Sequence, residues 1–275
     1  MPGELDPRHV LARTRLLDAL GALGPHQAGL TLVGAQAVYF RTGPVKLPVE
    51  PFTEDGDLAL DPTLIASEPL IEVAMASRGF VRTDQPGAWL SVDRIPVDLL
   101  VPAGVAGKGT RSVDLPPHDR MAMRRAAGLE GALVDRTIET IAGLDDSDSR
   151  SHRIGVAGPA ALLIAKAHKL GERFSGKATR PDRVLPKDAL DIHRLMLAYD
   201  PDVLARGLTV MQADPRSCAA TNKGLEYLAS LFDPLKPIGA ELVAEALWPT
   251  MDREIVIAAS GGLVRRLLAM FGSRP

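Results

Sequence analysis

Two aspartates separated by one residue, Asp55 and Asp57, lead into an apolar run in Thr53-Glu54-Asp55-Gly56-Asp57-Leu58-Ala59-Leu60. In a strand, side chains at i and i+2 leave on the same face, which would set the two carboxylates side by side. Carboxylates so placed repel each other until a cation or a proton relieves them. A divalent metal is the natural relief, and Mg2+ favours carboxylate oxygens and water. Phosphoryl and nucleotidyl transfer use metal ions about 3.5–4 Å apart to clamp the attacking and leaving oxygens. A third carboxylate, Asp98, interrupts the otherwise apolar Ile95-Pro96-Val97-Asp98-Leu99-Leu100-Val101, where an unpaired charge is costly to bury. The plainer alternative makes Asp-Gly-Asp a turn and Asp98 a strand-edge charge facing water. The D-x-D element therefore draws its weight from its surroundings.

Those surroundings read as an α+β chain. Residues 7–23 place Val10, Leu11, Leu16, Leu17 and Leu20 near helical spacing behind the capping pair Asp6 and Pro7. Leu30-Thr31-Leu32-Val33, stopped by Gly34 and followed by AQAVYFRTG, predicts strand, tight turn and helix. Such a turn can present backbone N–H groups at a helix N-terminus to a triphosphate. The segment 44–54, with three prolines, predicts a loop. Residues 57–60 predict a second strand, and residues 62–78 a helix ending at Gly79 with Leu64, Ile65, Leu70, Ile71 and Val73 on its apolar side. Trp89–Val92 and Ile95–Val101 flank Asp93-Arg94 as a hairpin would. Residues 103–131, rich in Gly and charge, predict a mobile connection on the rim. Weak strand signals follow near 137–142 and 153–156. Helical runs are expected at about 159–173, 187–199, 201–213, 217–232, 238–249 and 253–271. The expected organisation is a mixed sheet with helices over 1–157 and an all-helical part over 158–275, with a cleft between them as the default site.

The order strand, Gly34-Ala35, helix, loop, T-x-D-x-D and a separate strand carrying Asp98 resembles the DNA polymerase β-like nucleotidyltransferase superfamily. Within it the chain looks most like the AbiEii and MenT group, the toxin nucleotidyltransferases of abortive-infection and toxin–antitoxin systems. That group has a downstream helix with a lysine, matched by Lys166 in Ile164-Ala165-Lys166-Ala167-His168-Lys169-Leu170. It then has a helix opening with [RK]-D-x-x-D, matched by Lys187-Asp188-Ala189-Leu190-Asp191. The likeness covers about residues 28–195.

The resemblance implies a nucleotidyltransferase-fold domain over 1–157 and a helical domain over 158–275 that completes the active-site cleft. Asp55, Asp57 and Asp98 would hold Mg2+, and Lys166 would neutralise developing phosphate charge. Asp188 would position the lysine, the metal or the acceptor, while Gly34, Ala35, Thr53, Lys166 and Asp191 would serve the nucleotide. It further implies transfer of NMP from an NTP to an RNA acceptor, with tRNA expected first, and a toxin with a cognate antitoxin partner. Small-molecule nucleotidylation, as in antibiotic-modifying relatives, and a non-catalytic nucleotide- or antitoxin-binding member are the alternatives. Two positions depart from the family pattern. Ala35 stands where Ser or Gly is frequent and supplies no hydroxyl, and Pro51 stands where a basic residue is frequent.

Taken singly, Lys166 also reads as a solvated helix residue, and Asp188 as a first-turn charge favoured by the helix dipole. Seven Lys or Arg residues (166, 169, 173, 177, 180, 183 and 187) against Glu172 and Asp182 make residues 166–187 locally basic. That is either a solvated linker or a guide for a triphosphate and an RNA backbone. Gly104–Thr110 has a P-loop look, but G-x-x-x-x-G-K-[ST] would need glycine at Pro102, so a flexible loop is expected. The six histidines, His9, His26, His118, His152, His168 and His193, show no metal-ligand spacing. With 275 residues, 46% hydrophobic and a net charge of −2, the chain can bury a large core and lacks the global positive field of a nucleic-acid coat. Cys218 is its only cysteine, which excludes an intrachain disulfide. A charged amphipathic start and no uncharged apolar run of 18 residues predict a soluble, cytoplasmic protein with no membrane partner.

Overall fold

The computed structural model describes residues 5–43, 45–175 and 184–272. Helix α1 (Pro7–Ala22) opens as its sequence requires: Asp6 accepts a hydrogen bond from the Arg8 amide at 2.8 Å, and Pro7 occupies the first turn. The apolar run becomes β1 (Leu30–Val33) and turns at Gly34 straight into α2 (Gly34–Thr42). Strand β2 (Gly56–Leu60) follows a loop. The helix expected over 62–78 is reduced to α3 (Ile71–Ser77), and residues 61–70 run as turns and bends. Pro69, in the interior of that span, lacks an N–H and so denies a continuous helix one of its hydrogen bonds. Leu64 and Val73, expected on the apolar side, are exposed.

Strand β3 (Val81–Arg82) pairs with β4 (Ala88–Leu90), and β4 pairs antiparallel with β5 (Pro96–Pro102). The turn between β4 and β5 closes where the hairpin signal put it, with the Ser91 amide donating to Ile95 O at 3.0 Å and Arg94 at φ 61°. Residues 103–131, expected as a connection without periodicity, hold more structure than their composition suggests. They contain β6 (Arg124–Ala126), parallel to β5, and a 3-10 turn at Glu130–Leu133, and they bury Val113, Ala122 and Met123. Gly104–Thr110 is tied down too. The Gly104 amide donates to Glu130 Oε1 at 2.9 Å, and the Arg125 guanidinium donates to Ala103 O at 2.8 Å and to Gly107 O.

Strands β7 (Arg136–Ala142) and β8 (Ser151–Ala157) complete a mixed sheet of eight strands among the described residues, in the order β3-β4-β5-β2-β1-β8-β7 with β6 on β5. Its register builds the site. Strands β1 and β2 are antiparallel with Val33 opposite Asp57, and β2 and β5 are parallel with Asp57 opposite Asp98. The Gly34 turn and the two aspartates are thereby gathered together.

The sheet ends at Ala157, and helices take over: α4 (Pro159–Ser175), α5 (Pro186–Ala198), α6 (Pro201–Ala213), α7 (Cys218–Leu231), α8 (Ile238–Leu247) and α9 (Arg253–Gly272). Pro159, Pro186 and Pro201 each open a helix, where their missing N–H costs nothing. Helix α4 packs on α2, α5, α6 and α7, and one continuous core runs from Leu32, Leu58 and Leu99 in the sheet to Leu163, Leu170 and Ile192 in the helices. Helix α9 is long and apolar enough to cross a membrane by length and composition, and it packs on α5, α6, α7 and α8.

Candidate active site

A cleft of about 380 Å³ lies where the Gly34 turn, β2, β5, β6 and α4 meet. Asp55, Asp57 and Asp98 line it, as the i, i+2 spacing and the β2/β5 register require. Gly34 is there for two reasons. Its φ of +69° suits a residue without a side chain, and a Cβ would stand 2.0 Å from Asp57 Oδ2. The Asp57 carboxylate thus lies directly against the backbone of the turn.

The loop that carries Asp55 is fixed from behind. Arg13 Nη1 donates to Ala142 O at 3.0 Å, Arg13 Nε to Gln36 Oε1 at 2.7 Å, and Gln36 Nε2 to Asp55 O at 2.8 Å. Tyr39 donates to Phe52 O at 3.0 Å and Arg194 Nη2 to Val49 O at 2.9 Å. Thr53, expected at the nucleotide, is buried behind the cleft and donates its hydroxyl to Asp55. Ala35 is also buried and absent from the lining, which the preceding Gly34 and Val33 provide.

The opposite wall is cationic. Lys166, Lys169 and Arg173, at i, i+3 and i+7 of α4, form one stripe along the cleft. Asp188 and Asp191, at i and i+3 of α5, stand behind it. Lys166 Nζ lies 3.3 Å from Asp188 Oδ1 and 2.5 Å from Asp191 Oδ2. Asp188 also meets Lys169 Nζ at 3.1 Å and Arg173 Nη1 at 2.6 Å, so one buried carboxylate anchors three cations. Neither Asp188 nor Asp191 lines the cleft. Asp191, expected at the nucleotide, instead holds the lysine. Lys166 reaches the cleft while remaining only 4% exposed, so it is not the solvated helix residue of the plainer reading. In the basic segment, Lys177, Arg180 and Arg183 lie outside the described residues.

Burial raises the Asp57 carboxyl, and the neighbouring Asp55 and Asp98 push it further, up to about 7. Burial also raises Asp98, against the opposing pull of Arg124. On the other wall, burial would lower Lys166, but Asp191 and Asp188 outweigh it and hold the ammonium above the ordinary lysine value. Burial would likewise raise Asp188, and its three cations more than reverse that.

The donor set fits magnesium. Among the described residues no three His, Cys, Asp or Glu side chains converge as a metal cage, and Asp98 is engaged by the Arg124 guanidinium. Magnesium, however, needs only one or two carboxylates when waters and substrate phosphates complete its shell. Asp55 and Asp57 supply that pair, and the crowded Asp57 carboxyl gains most from a cation. Asp98 could join only after Arg124 releases it.

Arg124 and Arg125 are cleft residues that the sequence reading passed over. The signal was the apolar Met121-Ala122-Met123 ahead of them, two members of which are buried. Three of the histidines take structural places. His26 is fully buried against His118, and His193 meets Ser260 Oγ at 3.1 Å inside the helical part. Comparison of the chain with protein-family models, with curated proteins and with solved structures finds no match.

Proposed function

We propose that this protein is a magnesium-dependent nucleotidyltransferase that moves a nucleoside monophosphate from an NTP to an acceptor hydroxyl and releases pyrophosphate. One observation carries the reading: the carboxylate row Asp55, Asp57 and Asp98 and the cation row Lys166, Lys169 and Arg173 line a single cleft at a glycine turn. Opposed rows of this kind suit a metal-bound polyphosphate, whose metal needs carboxylates and whose oxygens need cations. A site for an uncharged ligand would have no use for either row.

Held by Asp55 and Asp57, magnesium would offset charge on the phosphate oxygens as the bond to pyrophosphate breaks. The Gly34 turn offers backbone N–H groups at the start of α2 to a phosphate. Lys166, fixed by Asp188 and Asp191, offers a cation that needs no reorganisation during the reaction. The acceptor oxygen attacks the α-phosphorus, the bond to the β-phosphate oxygen breaks, and pyrophosphate leaves. A basic residue or Asp98 assists deprotonation of the acceptor, and electrostatic positioning supplies the larger effect. The family likeness makes RNA, and tRNA first, the acceptor, in the setting of a cytoplasmic toxin with an antitoxin.

The test is incubation with each α-labelled NTP, magnesium and either total tRNA or small hydroxylated acceptors. Label on RNA that disappears in Asp55→Ala supports the reading. Label on a small acceptor alone moves the protein to the antibiotic-modifying class. Tight NTP binding with no transfer to any acceptor sinks the enzyme reading.

A further inference from the structure

We propose that Arg124 is a stand-in cation: it neutralises Asp98 while the cleft holds no nucleotide, and moves to a triphosphate oxygen when the metal and nucleotide arrive. The inference rests on the nucleotidyltransferase reading of the cleft and assigns a positioning residue to it. Asp57 and Asp98 are direct neighbours across β2 and β5, and Asp55 is two residues from Asp57. Three carboxylates so close need a cation even in the empty protein. Arg124 Nη2 meets Asp98 Oδ2 and supplies it.

The contact is open to exchange. Arginine–carboxylate pairs are frequently bidentate, whereas Arg124 engages Asp98 through Nη2. Its neighbour Arg125 differs, being committed to the carbonyls of Ala103 and Gly107. Lys166, Lys169 and Arg173 are anchored on Asp188, which stands outside the cleft lining. Arg124 is therefore the cation, among the described cleft residues, whose partner is itself a carboxylate in the cleft. A metal ion at the three aspartates would compete with it for Asp98. The displaced guanidinium, still on the cleft wall, then meets the charge that arrives with the metal.

Removal of Arg124 should consequently have opposite effects on two ligands, which loss of a merely structural residue would not. Mn2+ binding without nucleotide is read from the free-ion electron paramagnetic resonance signal. Binding of the four α,β-methylene nucleoside triphosphates with saturating Mg2+ is read by calorimetry. Arg124→Met is expected to tighten Mn2+ alone by about tenfold, because Asp98 is freed, and to weaken the triphosphate analogue by tenfold or more. Arg124→Lys keeps the charge but lacks the fork. It should leave Mn2+ affinity within about twofold and still weaken the analogue severalfold, which keeps the test valid if Arg124→Met does not fold. Both affinities moving together, or neither moving in either variant, overturns the proposal. A wild-type protein that binds none of the four analogues refutes the nucleotide reading itself, and with it the transfer to phosphate. An Mn2+ response that survives that outcome would mark Arg124 as a counter-ion only.

Discussion

Replacing Lys166 with methionine keeps most of the side-chain volume and removes the ammonium 3.3 Å from Asp188 Oδ1 and 2.5 Å from Asp191 Oδ2. The two carboxylates lose unequally. Asp188 keeps Lys169 at 3.1 Å and Arg173 at 2.6 Å. Asp191, 1% exposed, loses the one cation within ion-pair distance of it among the described residues. Removing one partner of a buried pair costs about 3–5 kcal/mol, because the other charge is left uncompensated. For a chain of this length, about 2–4 °C per kcal/mol converts this to a fall in melting temperature of roughly 6–20 °C. Asp191→Asn in the same background removes the orphaned charge and should recover about 2 kcal/mol or more, measured by urea unfolding followed by circular dichroism. A Lys166→Met protein within about 1 kcal/mol of wild type, or no recovery in the double variant, refutes the account of Lys166 as Asp191's counter-ion. The double variant also separates support from chemistry. Restored stability with transfer still absent means that Lys166 acts on the ligand; activity returning with stability means that it is only a strut.

Gly34→Ala should cost about 1–2 kcal/mol for the left-handed backbone alone. It should abolish transfer, since the new methyl would fall 2.0 Å from Asp57 Oδ2; a stable variant with more than half of wild-type activity would contradict the close packing of Asp57 on the turn. Burial, helped by Arg194, holds the His193 imidazole down to about 4 from an ordinary 6.5. Below pH 6.5 the unfolded chain takes up a proton that the folded chain refuses, so stability is full above that value and falls as pH drops towards 4. At about 1.4 kcal/mol per pH unit this one group accounts for about 3 kcal/mol. Asp57, held up to about 7, gains a proton in the folded state over the same range and offsets the loss, so the reading is a difference. Urea unfolding should show His193→Leu gaining stability relative to wild type between pH 7 and pH 4.5, and an unchanged difference refutes the assignment.

The parts of this site that were legible in the sequence are those set by local periodicity. Strand, glycine and helix at Leu30–Thr42 follow from an apolar run and the residue that can turn at positive φ, and Asp55 and Asp57 share a face because strand geometry demands it. The six late helices were equally readable from their Ala- and Leu-rich runs. Long-range facts were less accessible. That Asp57 sits opposite Asp98 is a matter of register between strands, and no pattern within either strand encodes it. The grouping of Lys166 with Asp188 and Asp191 entered through family likeness, but their division of labour, with both aspartates behind the lysine and outside the cleft, depends on how α5 packs on α4. Arg124 was hidden for another reason. A three-residue strand in a Gly- and charge-rich stretch is too short to show a period of two, so its fixed place was invisible until β5 paired with it. The shortened α3 is a plainer miss, because Pro69 outvoted the apolar spacing around it.

The two rows of charge also appear at different moments in the protein's manufacture. A chain extruded as far as Ala157 already contains Asp55, Asp57, Asp98 and Arg124, but not Lys166, Lys169, Arg173 or Asp188. At roughly 5–20 residues per second, the interval from Ala157 to Asp188 occupies a few seconds, with further time before α5 clears the exit tunnel. Throughout that interval the carboxylates have arginine for company and no opposing lysine wall. Until α4 and α5 are added, the three carboxylates lack the cation row that faces them in the finished cleft.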